Sequence, residues 1–164
     1  MPAFAQKLST TLTEIDPAHR ADYERRLQAF LASLAPLDAD VAGLKKKWSG
    51  TGVTATEPVF GYMATALGLT MRNERFQLAV MNDTEPSASD VAAFEDDLKE
   101  HRVRLLIYNS QATDEAARRL MGIAHQSRIP VIGVTETEPT GKTYQAWMLD
   151  TLADIDRALP RLGQ

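Results

Sequence analysis

The segment that follows Ser49–Gly52 alternates short β-prone runs with stretches of helical periodicity. Strands that alternate with helices in this way are typical of βαβ units, which form parallel sheets covered by helices. The predicted strands are Val53–Thr56, Gln77–Met81, Arg104–Tyr108 and Val131–Val134. The predicted helices cover about residues 60–67, 87–100, 113–127 and 142–159, with Ser87 and Thr113 as expected N-caps. We therefore predict an α/β fold, a four-stranded parallel sheet with helices on both faces, in the order 2-1-3-4 that right-handed crossovers favour.

A long helix is predicted ahead of the sheet. Apolar residues recur there at spacings of four and three, which places them on one face of a helix. This stripe consists of Tyr23, Leu27, Phe30, Leu34, Leu37, Val41, Leu44 and Trp48. Asp16 is the expected N-cap, Pro17 the first helical residue, and Pro36 should kink the helix because proline lacks a backbone donor. At about 45 Å such a helix exceeds the width of a small domain and should therefore either project from it or bridge to another body.

The region before Pro17 reads as a shorter helix over residues 2–15, with Phe4, Leu8, Leu12 and Ile15 on one face. We therefore divide the chain into a helical part, residues 1–49, and an α/β part, residues 50–164. The opening sequence lacks the basic and apolar regions of a signal peptide, and we find no run of about 18 apolar residues.

Composition excludes several classes of protein. The formal net charge of −4 argues against a nucleic-acid partner, which would require clustered Lys and Arg. The absence of cysteine excludes disulfides and thiolate zinc sites. The three histidines, His19, His101 and His125, lie apart on predicted helices and are interpreted as structural or solvated. Neither a phosphate-binding loop nor a nucleophile beside a histidine is present, so we expect no enzymatic activity.

One acidic triplet recurs at places where the predicted topology makes it informative. It is found as Thr56-Glu57-Pro58, Thr84-Glu85-Pro86 and Thr137-Glu138-Pro139, with Thr135-Glu136 just before the last copy. Each copy follows a predicted strand, and ligands of open parallel sheets bind at the carboxyl ends of strands. Glu57, Asn109 and Glu136 are therefore the candidate ligands of a cation, which would offset the repulsion between clustered carboxylates.

The alternative interpretation is ordinary loop chemistry, because a residue before proline is held extended and ends a strand. We prefer that interpretation for Glu85, whose carboxylate could cap the following helix, and we give Glu138 the smaller chance of a ligand role. For Glu57, Asn109 and Glu136 both interpretations stay open at this point.

Several stretches resemble one known family, the periplasmic solute-binding proteins of zinc and manganese ABC importers, also called TroA-like or cluster A-I proteins. The matching stretches are LSTTLTEIDPAHRADYERRLQAFLASLAPLDADV at the start, Glu57 to Tyr62, Glu85 to Ser87, Ile107 to Gln111, Thr135 to Thr137, and Lys142 to Met148. The resemblance implies the C-terminal lobe of such a protein together with the helix that links its two lobes. The N-terminal lobe, which would supply two further ligands, is expected to be absent.

The resemblance also implies a metal site at Glu57, Asn109 and Glu136, where the family usually has His, Glu or His, and Asp respectively. An oxygen-only set suits Mn²⁺ or Mg²⁺ better than Zn²⁺, which favours nitrogen and sulfur. With half of the ligands missing, we expect weak binding of any of these cations. The implied partner is a membrane permease of an ABC importer, and the implied location is periplasmic or extracellular and lipid-anchored.

Two other functions are left open. A stand-alone or truncated lobe could act as an interaction module, with the apolar stripe of the long helix forming a homodimer. Alternatively, a flavodoxin-like enzyme could use Glu57 and Glu136 with Mg²⁺, although Asn109 stands where a phosphoryl-transfer receiver would need an acceptor aspartate.

Overall fold

The computed structural model describes residues 1–112 and 115–159, and the chain divides into two compact units, Met1–Ala39 and Asp40–Gln164. The first unit is helical. Helix α1 covers Pro2–Ile15, a 3₁₀ turn covers Pro17–His19, and α2 covers Arg20–Ser33 and packs against α1. Neither α1 nor α2 contains a fully buried residue.

Asp16 was predicted to cap a helix, and its side chain makes no such hydrogen bond. Its Oδ2 atom instead accepts a hydrogen bond of 2.9 Å from the Tyr23 hydroxyl and lies 2.7 Å from Nδ1 of His19. The Tyr23 hydroxyl, followed by His19, lowers the pKa of this carboxyl group. Asp16 therefore fixes the turn between α1 and α2 through side chains, and not through the backbone amides of a helix start.

The predicted kink of the long helix is confirmed. The α2 helix ends at Ser33, Leu34 lies between the helices, and α3 covers Ala35–Trp48. Pro36 is the second residue of α3, where a helix needs no backbone donor, so proline starts a new helix and cannot continue the old one. The segment Pro17–Trp48 contains one 18-residue window of mean hydropathy 1.2, long and apolar enough to cross a membrane. Core helices of soluble proteins and signal sequences share these properties, so the feature alone assigns no membrane span.

The second unit contains the predicted sheet. Its strands are β1 Gly52–Ala55, β2 Thr70–Arg72, β3 Leu106–Asn109 and β4 Val131–Val134. They form one parallel sheet in the order β2-β1-β3-β4, with Val53 opposite Met71, Thr54 opposite Leu106 and Ile107 opposite Ile132. The remaining helices are α4 Gly61–Ala66, after a 3₁₀ turn at Pro58–Phe60, α5 Glu74–Met81, α6 Ala88–Lys99, α7 Glu115–Gln126 and α8 Tyr144–Ala158.

The predicted strand Gln77–Met81 is wrong, because these residues belong to α5. The second strand lies earlier, at Thr70–Arg72, and Asn73 in a left-handed conformation (φ 60°) separates it from α5. Phe76 and Val80, four residues apart, both pack into the core, which is the spacing of a helix. The run from Gln77 to Met81 suggested a strand because a short apolar run does not by itself distinguish a strand from a buried helix.

Both faces of the sheet are covered. Leu106 belongs to a buried cluster that includes Phe76 of α5, Phe94 of α6 and Leu120 of α7. The neighbouring Leu105 and Ile107 are also buried, at 0% and 1% exposure, and they point to the opposite face because side chains alternate along a strand. Of the two N-caps predicted in this unit, Ser87 is confirmed, since its Oγ accepts from the backbone amide of Asp90, and Thr113 lies outside the described residues.

A buried carboxylate joins the edge strand β2 to α6. Asp97 of α6 has a side chain only 3% exposed, and Arg72 donates to both of its oxygens, at 2.7 and 2.9 Å. Asn73 donates a third hydrogen bond at 3.1 Å, and Arg102 lies 3.4 Å away. Burial alone would raise the pKa of Asp97, but the hydrogen bonds and charge of Arg72, with Asn73, outweigh it and lower the pKa. This carboxylate is fully compensated and structural.

The end of α3 is anchored to α8. Oδ1 of Asp156 accepts hydrogen bonds from the Trp48 indole at 2.7 Å and from the Lys47 ammonium at 2.6 Å. The Lys47 ammonium also lies 4.9 Å from the centre of the Trp48 ring, within the range of a cation–π contact. The last turn of α3 is thereby held within the second unit.

Candidate functional site

The carboxyl ends of β1, β3 and β4 meet at one rim of the sheet, as the parallel topology requires. Glu57 follows β1 by two residues, Asn109 is the last residue of β3, and Glu136 follows β4 by two residues. A cleft of 720 Å³ opens at this rim. Its lining residues are Glu57, Val80, Met81, Asp83, Thr84, Glu85, Pro86, Ala112, Ala116 and Glu136. Two of the three predicted ligands, Glu57 and Glu136, therefore share one cleft.

The lining of this cleft is strongly acidic. Within the described part of the chain it includes four carboxylates, Glu57, Asp83, Glu85 and Glu136, and neither Lys nor Arg. Val80 and Met81 bring the C-terminal end of α5 to the same wall, and the partial negative charge of a helix C-terminus adds to that of the carboxylates. Like charges in one concave surface focus a field that attracts cations and repels anions. The arrangement can therefore hold a positively charged ligand.

The third predicted ligand, Asn109, contacts Glu57 directly. Its Nδ2 donates a hydrogen bond of 3.2 Å to Oε2 of Glu57, and its Oδ1 accepts one of 3.0 Å from the backbone N–H of Gln111. Asn109 is 2% exposed and does not line the cleft. In this arrangement Asn109 orients the carboxylate of Glu57, and its predicted role as a direct ligand stays a prediction.

The other members of the acidic triplets differ from our interpretation. Thr84-Glu85-Pro86 follows α5 and not a strand, so the topological argument is wrong for this copy. Glu85 nevertheless lines the cleft, while the cap of α6 that we expected from its carboxylate is provided by Ser87. Glu138 is exposed and is not among the lining residues.

Sequence reasoning missed two residues of this rim. Asp83 lines the cleft from a left-handed position (φ 51°) just after α5, where a helix usually ends in Gly or Asn. The pair Asn82-Asp83 is a turn signal that could have located it, had α5 been recognised as a helix. Gln111 connects two loops through its side chain, with Oε1 accepting from the amides of Glu136 and Thr137 at 2.8 and 3.0 Å. No sequence signal indicates that role.

Two threonine hydroxyls at this rim lack hydrogen-bond partners among the described residues. They are Oγ1 of Thr56, immediately before Glu57, and Oγ1 of Thr135, immediately before Glu136. Both atoms are buried, and buried polar atoms of native proteins are normally satisfied by protein, water or an ion. Each predicted glutamate ligand thus has a neighbouring oxygen that a water molecule or an ion could satisfy.

A complete metal centre is not formed within residues 1–112 and 115–159, because no three His, Asp or Glu side chains there are close enough to share an ion. The cleft lining contributed by the same residues contains no histidine. The hydroxyls of Ser110 and Thr143 serve the backbone: Ser110 donates to the carbonyl of Val134, and Thr143 accepts from the amide of Ala146. The described rim therefore offers carboxylate oxygens from the segments after two strands, and no nucleophile arrangement.

Comparison with known proteins identifies related chains over nearly the whole length. The sequence profile of the family described as zinc-uptake complex component A, periplasmic (ZnuA), matches residues 1–158. The high-affinity zinc uptake system protein ZnuA of Bacillus subtilis (strain 168) is 27% identical over 124 residues, which cover 73% of this chain and 38% of that protein.

Solved structures give the same result for the fold. The periplasmic zinc-binding protein TroA of Treponema pallidum is 18% identical, with a TM-score of 0.75 over 95% of this chain and 59% of that one. A Zn(II)-bound mutant variant of AdcAII from Streptococcus pneumoniae is 18% identical, with a TM-score of 0.78 over 97% and 57%. The binding protein FpvC of Pseudomonas aeruginosa, solved with Mn²⁺, is 19% identical, with a TM-score of 0.69 over 93% and 56%. The chain thus spans a little over half the length of these structures.

Proposed function

This chain belongs to the ZnuA family of zinc-uptake complex components, and on that premise we propose that it forms a cation-binding lobe of the solute-binding component of an ABC importer. The single observation that carries the proposal is the cleft at the carboxyl rim, whose described lining has four carboxylates and no basic residue. Asp97, which is buried, is by contrast paired with Arg72 of its own chain.

We propose a divalent cation as the solute, bound by Glu57 and Glu136, with Asn109 as the predicted third contributor. Carboxylate, amide and hydroxyl oxygens suit Mn²⁺ or Mg²⁺, whereas Zn²⁺ favours nitrogen and sulfur ligands. The lining residues that the structure describes lack histidine, which supports Mn²⁺ over Zn²⁺ in this chain. Among the similar structures, AdcAII is named as Zn(II)-bound and FpvC as a complex with Mn²⁺. Proteins of this fold therefore include one structure with each ion.

We further propose that this lobe alone binds the cation weakly. No three acidic or histidine side chains of the described residues can share an ion, and the chain spans only 57–59% of TroA, AdcAII and similar chains. A cation held by one or two carboxylates keeps most of its water, so little of its binding free energy is realised. Tight binding would need further ligands from a second body that closes over the cleft.

The proposed cycle contains no chemical step. The lobe captures the ion, presents it to a membrane permease, and releases it there, in the periplasm or on the outer surface as a lipid-anchored protein. The family description supports the periplasmic alternative.

Paramagnetic Mn²⁺ tests the location of the site even when binding is weak. In amide NMR spectra, we expect substoichiometric Mn²⁺ to broaden the signals of Glu57, Asp83 and Glu136 first, and to leave those around Asp97 sharp. Diamagnetic Mg²⁺ provides the control for general charge effects. Broadening that begins around Asp97, or uniformly over exposed carboxylates, would contradict a cation site in the cleft.

We also propose that the helical unit Met1–Ala39 associates with a second copy of the chain. Phe4, Leu8 and Ile15 of α1 are 65%, 47% and 75% exposed, and an apolar groove of 240 Å³ lies between α1 and α2. Units of fewer than about 40 residues rarely bury enough apolar surface to be stable alone. Neither α1 nor α2 contains a fully buried residue, so the apolar side chains of these two helices are available to a partner.

Light scattering tests this homodimer. We expect Leu8→Glu to shift a dimer towards monomer, because a carboxylate in an apolar interface is strongly disfavoured, and the exposed neighbour Gln6→Glu to have no such effect. A wild-type chain that stays monomeric at high concentration would refute self-association and leave the cation proposal untouched.

A further inference from the structure

A continuous series of hydrogen bonds runs along the rim of the cleft and passes through Gln111. Its side-chain Oε1 accepts from the backbone N–H groups of Glu136 and Thr137, at 2.8 and 3.0 Å. Its Nε2 donates to Oγ1 of Thr137 at 2.8 Å. One exposed glutamine therefore holds the start of the segment after β4 through three hydrogen bonds.

The backbone of Gln111 continues the series towards β1. Its N–H donates to Oδ1 of Asn109 at 3.0 Å, and Nδ2 of Asn109 donates to Oε2 of Glu57 at 3.2 Å. A backbone N–H can donate only to the oxygen of an amide, so the orientation of the Asn109 amide is determined, and its NH₂ group must face Glu57. The segments that carry Glu57 and Glu136 are thus connected through the loop after β3.

Glutamine is chemically suited to this position. Its amide oxygen has two lone pairs, which match two adjacent backbone donors, and its NH₂ group meets the hydroxyl of Thr137. Alanine or an apolar residue would leave the amides of Glu136 and Thr137 to water. The strand ends on either side are already paired, since Ser110 donates to the carbonyl of Val134 through both its amide and its hydroxyl. The side chain of Gln111 additionally fixes the residues that follow β4, and Glu136 is one of them.

We propose that Gln111 is a positioning residue of the cation site, which fixes the Glu136 segment relative to Glu57 so that both carboxylates face one cleft. This inference rests on the proposed function. Gln111 itself does not line the cleft. Its effect on a bound cation is therefore indirect, through the placement of Glu136.

Three variants separate positioning from general stability. Gln111→Met keeps the length of the side chain and removes its hydrogen-bonding groups. Gln111→Glu keeps an oxygen that both amides can donate to, and the Thr137 hydroxyl can turn to donate to it as well. Thr137→Val removes only the bond to Nε2. Amide hydrogen exchange at Glu136 and Thr137, measured without metal, shows whether the Gln111 side chain protects these two amides. Calorimetry with Mn²⁺ measures the affinity of the proposed site.

We expect Gln111→Met to speed exchange of both amides by about fivefold or more, the effect of losing one ordinary hydrogen bond at each. The same variant should weaken Mn²⁺ binding by about threefold to tenfold while the midpoint of thermal unfolding stays close to that of the wild type. Gln111→Glu should keep exchange slow at both amides, and Thr137→Val should keep it slow at Glu136.

Unchanged exchange rates of these two amides in Gln111→Met would contradict the proposal that Gln111 holds the segment. Faster exchange with unaltered Mn²⁺ affinity would overturn the claim that Gln111 positions the site. If the wild type shows no affinity for Mn²⁺, the proposed function fails and the positioning of a cation site fails with it, while the exchange data still decide whether Gln111 orders the segment.

Discussion

The α/β unit contains one buried carboxylate, Asp97, and a group of four carboxylates at the cleft, and these differ in whether basic residues pair with them. Asp97 is nearly inaccessible, and it meets Arg72, Asn73 and Arg102 within 3.4 Å. The cleft at the carboxyl rim gathers four carboxylates with no basic residue in the lining that the structure describes, and the hydrogen bond that Glu57 accepts from Asn109 comes from a neutral amide. Asp97 connects α6 to the edge strand, whereas the described lining of the cleft supplies no basic partner for its carboxylates.

The difference distinguishes a carboxylate that stabilises the fold from a carboxylate that is available to bind an ion. A buried charge is tolerated only when it is paired and hydrogen-bonded, so Asp97 needs cations from its own chain. Carboxylates at a rim remain hydrated and need no internal partner, which leaves them available to an ion. The absence of a counter-charge from the described lining of a concave acidic surface, more than the number of carboxylates, is what supports a cation ligand.

The largest expected effect comes from removing the partner of Asp97. Arg72→Met removes the bidentate donor of the buried Asp97 carboxylate. We therefore expect a loss of about 3 kcal/mol in the free energy of unfolding, measured by urea titration. Arg20→Met is the matched control, because the Arg20–Glu24 pair is exposed and its loss should change the free energy of unfolding far less. Similar losses in the two variants would erase the distinction between paired and surface charges.

The second prediction compares the same chemical change in both regions. Asp97→Asn removes charge from a compensated site and should destabilise the fold by about 2 kcal/mol. Glu136→Gln removes charge from an exposed, acidic lining and should change stability by less than about 0.5 kcal/mol, or raise it slightly through reduced repulsion. A Glu136→Gln variant as unstable as Asp97→Asn would mean that the rim is part of the structural framework.

The smallest expected effect is a dependence on pH. Burial would raise the pKa of Asp97, but the hydrogen bonds and charge of Arg72 outweigh it, so the native pKa lies below its usual value of 3.8. The stabilisation by Asp97 is therefore complete above pH 3.8 and is lost as the pH falls through the lowered native pKa. The stability difference between wild type and Asp97→Asn should shrink in that acidic range. A difference that grows on acidification would contradict the assigned direction of the pKa.

Sequence patterns predict the sheet, its strand order and the kink at Pro36, because each depends on local periodicity or on proline geometry. They fail at α5, where the run from Gln77 to Met81 is apolar enough for a strand, and only the burial of Phe76 and Val80 reveals the helical spacing. The omission of Asp83 from the site follows from that error, because Asp83 lies just after α5.

The role of Gln111 could not be predicted from sequence either, and the reason differs from that for Asp83. Its role depends on the distance between two loops that are 25 residues apart in sequence. Glu57 and Glu136 are predictable because the carboxyl ends of parallel strands must share a rim, a rule of topology that needs no side-chain detail. Asn109 lies at that rim as expected, but the orientation of its amide, whose NH₂ group faces Glu57, does not follow from topology.

We propose that the cleft carboxylates bind a divalent cation and that this chain supplies part of the site. Calorimetric titration of Mn²⁺ into the wild type and into Glu57→Gln/Glu136→Gln, with the exposed Glu138→Gln as control, tests it most directly. We expect a dissociation constant on the order of 10⁻⁴ M for the wild type and for the control, and no measurable heat for the double variant. Equal affinity in the double variant would contradict a cation site at Glu57 and Glu136, and a wild-type dissociation constant below about 1 µM would contradict a partial site.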